Sequence, residues 1–148
     1  MGCVSQNKKG TKEEKIMEIV FENWRQYLKE SNSLLLKIAG HPLNVEVASD
    51  ERSITKGLMF RDKLNKNSGM LFVFSKPTQK SFFMKNTKIP LSIAYLDESG
   101  KILNIEDMTP YSTKGVTSDG KAKYAVEVNQ GWFDSKGIIP GDRVEGIK

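Results

Sequence analysis

Residues 69–94 read Gly-Met-Leu-Phe-Val-Phe-Ser-Lys-Pro-Thr-Gln-Lys-Ser-Phe-Phe-Met-Lys-Asn-Thr-Lys-Ile-Pro-Leu-Ser-Ile-Ala. Runs rich in aromatic and β-branched residues at 69–74, 81–84 and from 91 to 96 have the composition of strands. Between them lies a small polar cluster, Lys85, Asn86 and Thr87, stopped by Pro90. Upstream, 34–39 and 43–48 flank Gly40-His41-Pro42 as a hairpin, the second run alternating with Leu43, Val45 and Val47 inward. Ser49 is then expected to cap a short helix that ends near Gly57. Downstream, strands are expected at 101–105 and 123–128, followed by a helical turn opening at 131–134 and a last strand at 143–147. The sum is an α+β fold: a compact, β-rich single domain with short helices, preceded by an N-terminal amphipathic helix.

That helix spans 13–30, where Ile16, Ile19, Val20, Trp24, Tyr27 and Leu28 recur at three- and four-residue spacing. Its polar face mixes acids with lysine and arginine, which suits packing better than lying on a membrane. The organisation expected is a flexible tether at 1–12, a helical extension at 13–33 and the domain at 34–148. With 148 residues, 38% of them hydrophobic, the chain can bury a core without disulfides or metal. Cys3 is the only cysteine and His41 the only histidine, so no Cys/His zinc cluster can form and no metal or cofactor is expected.

The tether begins Met1-Gly2-Cys3 and continues polar. A Gly-Cys pair before a polar leader resembles the start of a mature bacterial lipoprotein, with Cys3 carrying the lipid, although an apolar segment that would precede it is not in the sequence. Myristoylation of Gly2 with palmitoylation of Cys3 is the competing reading, though Gln6 stands where that pattern wants Ser or Thr. An unmodified terminus is the third.

The net charge of +5 is unevenly spread: Arg61, Lys63, Lys66, Lys76, Lys80, Lys85 and Lys88 face one acid, Asp62, in the same stretch. Such a patch attracts anions, yet no nucleic-acid motif frames it. P-loop, dinucleotide, serine-hydrolase and histidine-metal signatures are all missing.

Glu51-Arg52, Gly57-Leu58-Met59-Phe60-Arg61, Gly69 through Phe74, Phe83-Met84-Lys85-Asn86-Thr87, Ile89-Pro90-Leu91, Tyr124 through Gly131 and Gly141-Asp142 together resemble the bacterial and archaeal domain-of-unknown-function family numbered 192. The resemblance covers about residues 35–148. It implies a compact β-rich α+β domain, often carried behind a signal peptide or lipoprotein signal, and brings no established activity. The family commonly has Trp where this chain has Phe83.

The candidate site rests on the residues themselves. Lys85 supplies a positive charge, Asn86 both donates and accepts, and Thr87 adds a hydroxyl. With Met59 and Arg61 they suit a carboxylate, phosphate or sugar. The bland reading has Asn86 and Thr87 fastening a turn and Lys85 solvated. Glu127 alternates with its neighbours on a later strand and is placed to pair with Lys85 or Arg61, either as a structural salt bridge or as half of an acid/base site. If these groups converge, Lys85 and Glu127 should perturb each other's titration.

The expectation is therefore an extracytoplasmic, lipid-anchored binding or accessory domain, monomeric, with a small or anionic ligand. A small hydrolase-like enzyme using the Lys/Asn/Thr and Glu cluster is the first alternative. Cytosolic nucleic-acid binding through the basic patch is the second, and nucleic acid is not expected as a partner. Mass spectrometry of the native protein from its own membranes should find the N-terminal peptide carrying lipid on Cys3; an unmodified Met1 or a free Cys3 in the soluble extract would refute the anchor.

Overall fold

The computed structural model describes residues 11–147, and residues 24–31 by their backbone alone. It divides into two units, Met1–Asn32 and Ser33–Lys148. In the first, helix α1 (Lys12–Ser31) opens with a capping box. The Glu14 amide donates to Thr11 Oγ1 at 3.0 Å and the Thr11 amide donates to Glu14 Oε1 at 2.7 Å, so donors that the first turn leaves without intrahelical acceptors are satisfied. Cys3 and the side chains of Trp24, Tyr27 and Leu28 lie outside the described residues.

The second unit runs β1 (Ser33–Ile38), β2 (His41–Ala48), α2 (Glu51–Lys56), β3 (Ser68–Thr78), β4 (Ser81–Phe82), β5 (Leu91–Leu96), β6 (Ile102–Met108), β7 (Val116–Thr117), β8 (Ala122–Asn129), α3 (Trp132–Ser135) and β9 (Val144–Glu145). Seven strands form one sheet in the order β6-β5-β8-β3-β2-β1-β9, and β4 pairs with β7 in a second. All neighbours in the large sheet are antiparallel except β2 and β3. The sheet curls until its two edges meet: Lys101 bridges Arg143, and the Val144 amide donates to the Gly100 carbonyl at 2.9 Å.

Both faces of the sheet are covered, which is why all six residues of β5 are buried instead of alternating. On one face Leu36, Leu43, Leu71, Leu96 and Val126 pack with Trp132 and Phe133 of α3. On the other, Met70, Phe72, Ile93, Tyr95 and Ala125 pack with Leu58, Met84 and Ile89 from the connections. The small sheet is fastened to this second face by aromatic contacts. The Phe82 ring meets Phe72, Phe74 and Tyr95 edge-on, with centroids 4.9, 5.9 and 6.1 Å away. Tyr95 Oη then donates to the Val116 carbonyl at 2.7 Å and holds β7.

Several sequence expectations shift. The β1–β2 turn is Ala39-Gly40, both at positive φ as a two-residue hairpin loop requires, so His41 and Pro42 belong to β2 and not to the turn. Asp50, not Ser49, caps α2, because its carboxylate accepts the Ser53 amide at 2.7 Å and closes a box with the Ser53 hydroxyl. The strand expected at 81–84 is cut to two residues as Met84 turns into the core, and the one expected at 101–105 runs on to Met108. The last strand keeps only Val144 and Glu145.

Gly69 on β3 lies opposite Val128 of β8, and a Cβ there would stand 2.3 Å from the Glu127 carbonyl oxygen. Backbone cannot yield as a flexible side chain does. Gly69→Ala should therefore cost at least the ~1–3 kcal/mol typical of overpacking, measured by urea denaturation, whereas an unchanged midpoint would show that the strands part freely.

Candidate functional site

A cavity of about 460 Å³ opens on the second face of the sheet. Phe72, Leu91 and Glu127 from β3, β5 and β8 line it, together with residues 54–59 after β2 and residues 81–87 after β3. Gly57 makes the first wall possible. It ends α2 at φ 47 and ψ −127, a conformation that suits glycine, and it lies against the Phe72 ring with 3.4 Å left for a Cβ. From there Leu58 turns inward and is buried.

The mouth is tied together through the backbone. The Phe60 amide donates to the Asn86 carbonyl at 2.9 Å, the Tyr111 amide to the Thr87 carbonyl at 3.0 Å, and the Met84 amide to the Ser112 carbonyl at 2.8 Å. Phe60, Asn86 and Tyr111 all hold φ near +60°, at 66°, 55° and 63°. Asn tolerates that region, but for Phe and Tyr it stores strain of order 1–3 kcal/mol each, and such residues gather at binding and switch sites.

Glu127 is the chemical centre of the cavity. In the strand register it lies between Met70 on β3 and Ile93 on β5, and it is 5% exposed. No hydrogen bond or ion pair reaches its carboxyl among the described residues. Burial alone pushes its pKa from the ordinary 4.5 up to about 8. Lys85 therefore does not act on it as the sequence suggested.

Met59, Lys85, Asn86, Thr87 and Glu127 line this one cavity. Arg61 does not, and this corrects the expected set: its guanidinium forks onto both carboxylate oxygens of Glu46, one at 2.9 Å. That bidentate pair holds Glu46 below the usual carboxylate range. Thr87 is buried and its hydroxyl donates to the Lys85 carbonyl at 3.0 Å, while the Asn86 amide points at Met59 Sδ at 4.0 Å. Thr87 fastens the turn as the bland reading had it, whereas Asn86 reaches across to the segment after α2, and Lys85 stays exposed at the rim. The apolar walls, Leu58, Phe72, Phe82, Met84 and Leu91, read in sequence as core, and all but Phe82 belong to the motifs that carry the family resemblance. Among the described residues no group of three His, Cys, Asp or Glu could hold a metal ion.

Residues 34–146 match the model of the domain-of-unknown-function family 192, described as an uncharacterized ACR, and the chain belongs to that family. No curated protein matches the chain. Two solved structures are similar. One, from Sinorhizobium meliloti and described as a candidate transcription regulator, is 35% identical with a TM-score of 0.72, over 77% of this chain and 92% of that one. The other, of unknown function from Novosphingobium aromaticivorans, is 31% identical with a TM-score of 0.70, over 76% of this chain and 83% of that one.

Because Glu127 holds its proton more tightly folded than unfolded, its contribution to stability is complete below its ordinary pKa of 4.5 and is lost as pH rises toward about 8. The limiting slope is about 1.4 kcal/mol per pH unit across that window, flat above it. Denaturant titrations of the wild type and Glu127→Gln at several pH values should give a difference curve with this fall. A pH-independent difference would mean that the carboxyl is hydrated.

Proposed function

We propose that the Ser33–Lys148 unit is a small-molecule binding module whose ligand sets an apolar body in the cavity and an anionic group against Lys85 at its mouth. The observation that carries this reading is Glu127, a buried carboxyl without a partner, lining a cavity with otherwise mostly apolar walls. Leaving a polar group buried and unsatisfied costs ~1–3 kcal/mol, and an apolar pocket with one convergent ionisable group is the usual form of a ligand site. The address belongs to the proposal too: extracytoplasmic, tethered through lipid on Cys3, with α1 presenting its apolar positions along one face. Gly2-Cys3 and the polar leader support it. No described helix is long and apolar enough to cross a membrane.

The raised proton affinity of Glu127 favours a second reading, general acid catalysis in the same cavity, since a carboxyl protonated at neutral pH can donate to a leaving group. Nucleic-acid binding has weaker support. The description of the Sinorhizobium relative points that way, but Arg61 and Lys88 of the basic stretch already face Glu46 and Asp62.

Native mass spectrometry of the full chain with a mixture of hexanoate, octanoate and phenylacetate should show a one-to-one adduct. Leu58→Trp, which fills the cavity, should abolish it, and Lys85→Ala should weaken it about tenfold, the equivalent of ~1.4 kcal/mol of a charge-assisted contact. No adduct with any acid, or one indifferent to Leu58→Trp, would refute the module.

A further inference from the structure

We propose that the ligand of this cavity also carries an ammonium group, seated at the inner end against Glu127, so that the molecule bound is an amino acid or another small zwitterion with an apolar body. The inference rests on the binding-module reading above and deepens it.

The argument is an inventory of donors and acceptors. Around Glu127 the walls offer aromatic faces at Phe72 and Phe82, thioethers at Met59 and Met84, and aliphatic surface at Leu58 and Leu91. These are weak acceptors or neutral surfaces, and none donates a proton. The Thr87 hydroxyl is spent on the Lys85 carbonyl and the Asn86 amide faces Met59 Sδ; Ser81 Oγ accepts the Thr117 hydroxyl and keeps its own proton, and the Thr55 hydroxyl stands on the exposed side of α2. An ammonium has three donors and no acceptor, so it matches a carboxyl that none of the surrounding aromatic, thioether and aliphatic side chains can donate to, and aromatic faces add to its attraction. An anionic head at the same depth would meet a carboxyl and no cation.

Charge layout then sets the orientation. Lys56 from α2 and Lys85 from the loop before β5 stand exposed at the outer wall, where they repel a cation and attract an anion. From β5, Tyr95 feels the Glu127 charge, and its phenol is pushed up mainly by burial. In the same row of the sheet, Glu106 of β6 lies beyond Ile93 and Glu46 of β2 beyond Met70, the latter neutralised by Arg61. β3 contributes Met70 and Phe72, and its one ionisable residue, Lys76, does not line the cavity. A zwitterion entering ammonium first thus meets the acid at the floor and leaves its carboxylate at the lysines.

The exchange balances. Free Glu127 holds a proton at neutral pH; the incoming ammonium replaces it, the carboxyl becomes carboxylate, and one proton passes to solvent while no covalent bond to the ligand forms or breaks.

Calorimetry of the full chain at neutral pH, in buffers of different ionisation enthalpy, tests this with a series from 4-aminobutanoate to 8-aminooctanoate, each set against the acid lacking the amine. The expected result is one chain length that binds at least about tenfold more tightly than its parent acid and releases about one proton. Glu127→Gln should erase both the advantage and the proton, the amino acid then binding no more tightly than its parent acid. If parent and amino acid bind equally with no proton released, the ammonium inference is overturned and the binding module stands. If neither series binds, both fall.

Discussion

The edge-on seat of Phe82 among Phe72, Phe74 and Tyr95 is the contact on which the site depends. β4 and β7 are two residues each, and an isolated ribbon of that length has no stability of its own. What holds it is the aromatic cluster with the Tyr95 hydroxyl on the Val116 carbonyl. Once Phe82 is fixed, Met84 is directed inward and the chain must turn at Asn86, whose carbonyl and that of Thr87 collect the Phe60 and Tyr111 amides. The wall over Glu127 is thus a consequence of packing several residues away.

Two acids in one row of the sheet differ both in burial and in partner, Glu46 being half-exposed and Glu127 buried. Glu46 and Glu127 are both opposite Met70, on β2 and β8. Glu46 recruits Arg61 and stays ionised, with its proton affinity depressed; Glu127 has no cation paired with it among the described residues and holds its proton instead. Desolvation of an unpaired carboxylate is expensive enough that neutralisation is the cheaper outcome. A fold selected for stability alone would place a leucine or methionine at this position, next to Met70 and Ile93.

Much of this was legible from residue order. Alternation in β2 and β8 announced strands, the Gly57 stop ended α2 where expected, and the Lys85 to Thr87 cluster and Glu127 do line one cavity. Arg61 turns to Glu46 and not to the cavity for a reason local patterns cannot supply: the crossover folds it back onto a strand fifteen residues earlier. β7 escaped notice because two residues carry no periodicity, and its anchor is a tyrosine hydroxyl from another strand. The walls were hidden in plain apolar sequence, since Phe72, Phe82 and Met84 are core residues that also face a void, and composition cannot tell the two apart.

The parallel step from β2 to β3 has a further consequence. Strands that run the same way cannot be joined by a tight turn, so residues 49–67 must travel back along the sheet before β3 can begin. Topology obliges a crossover here whatever its sequence, and this crossover supplies one wall of the cavity, residues 54–59. The opposite wall and the floor belong to other segments. Lengthening or trimming the crossover would thus resize the chamber while every strand kept its register, making this the place where an evolving lineage, or an engineer, can retune what fits inside at least cost to the fold.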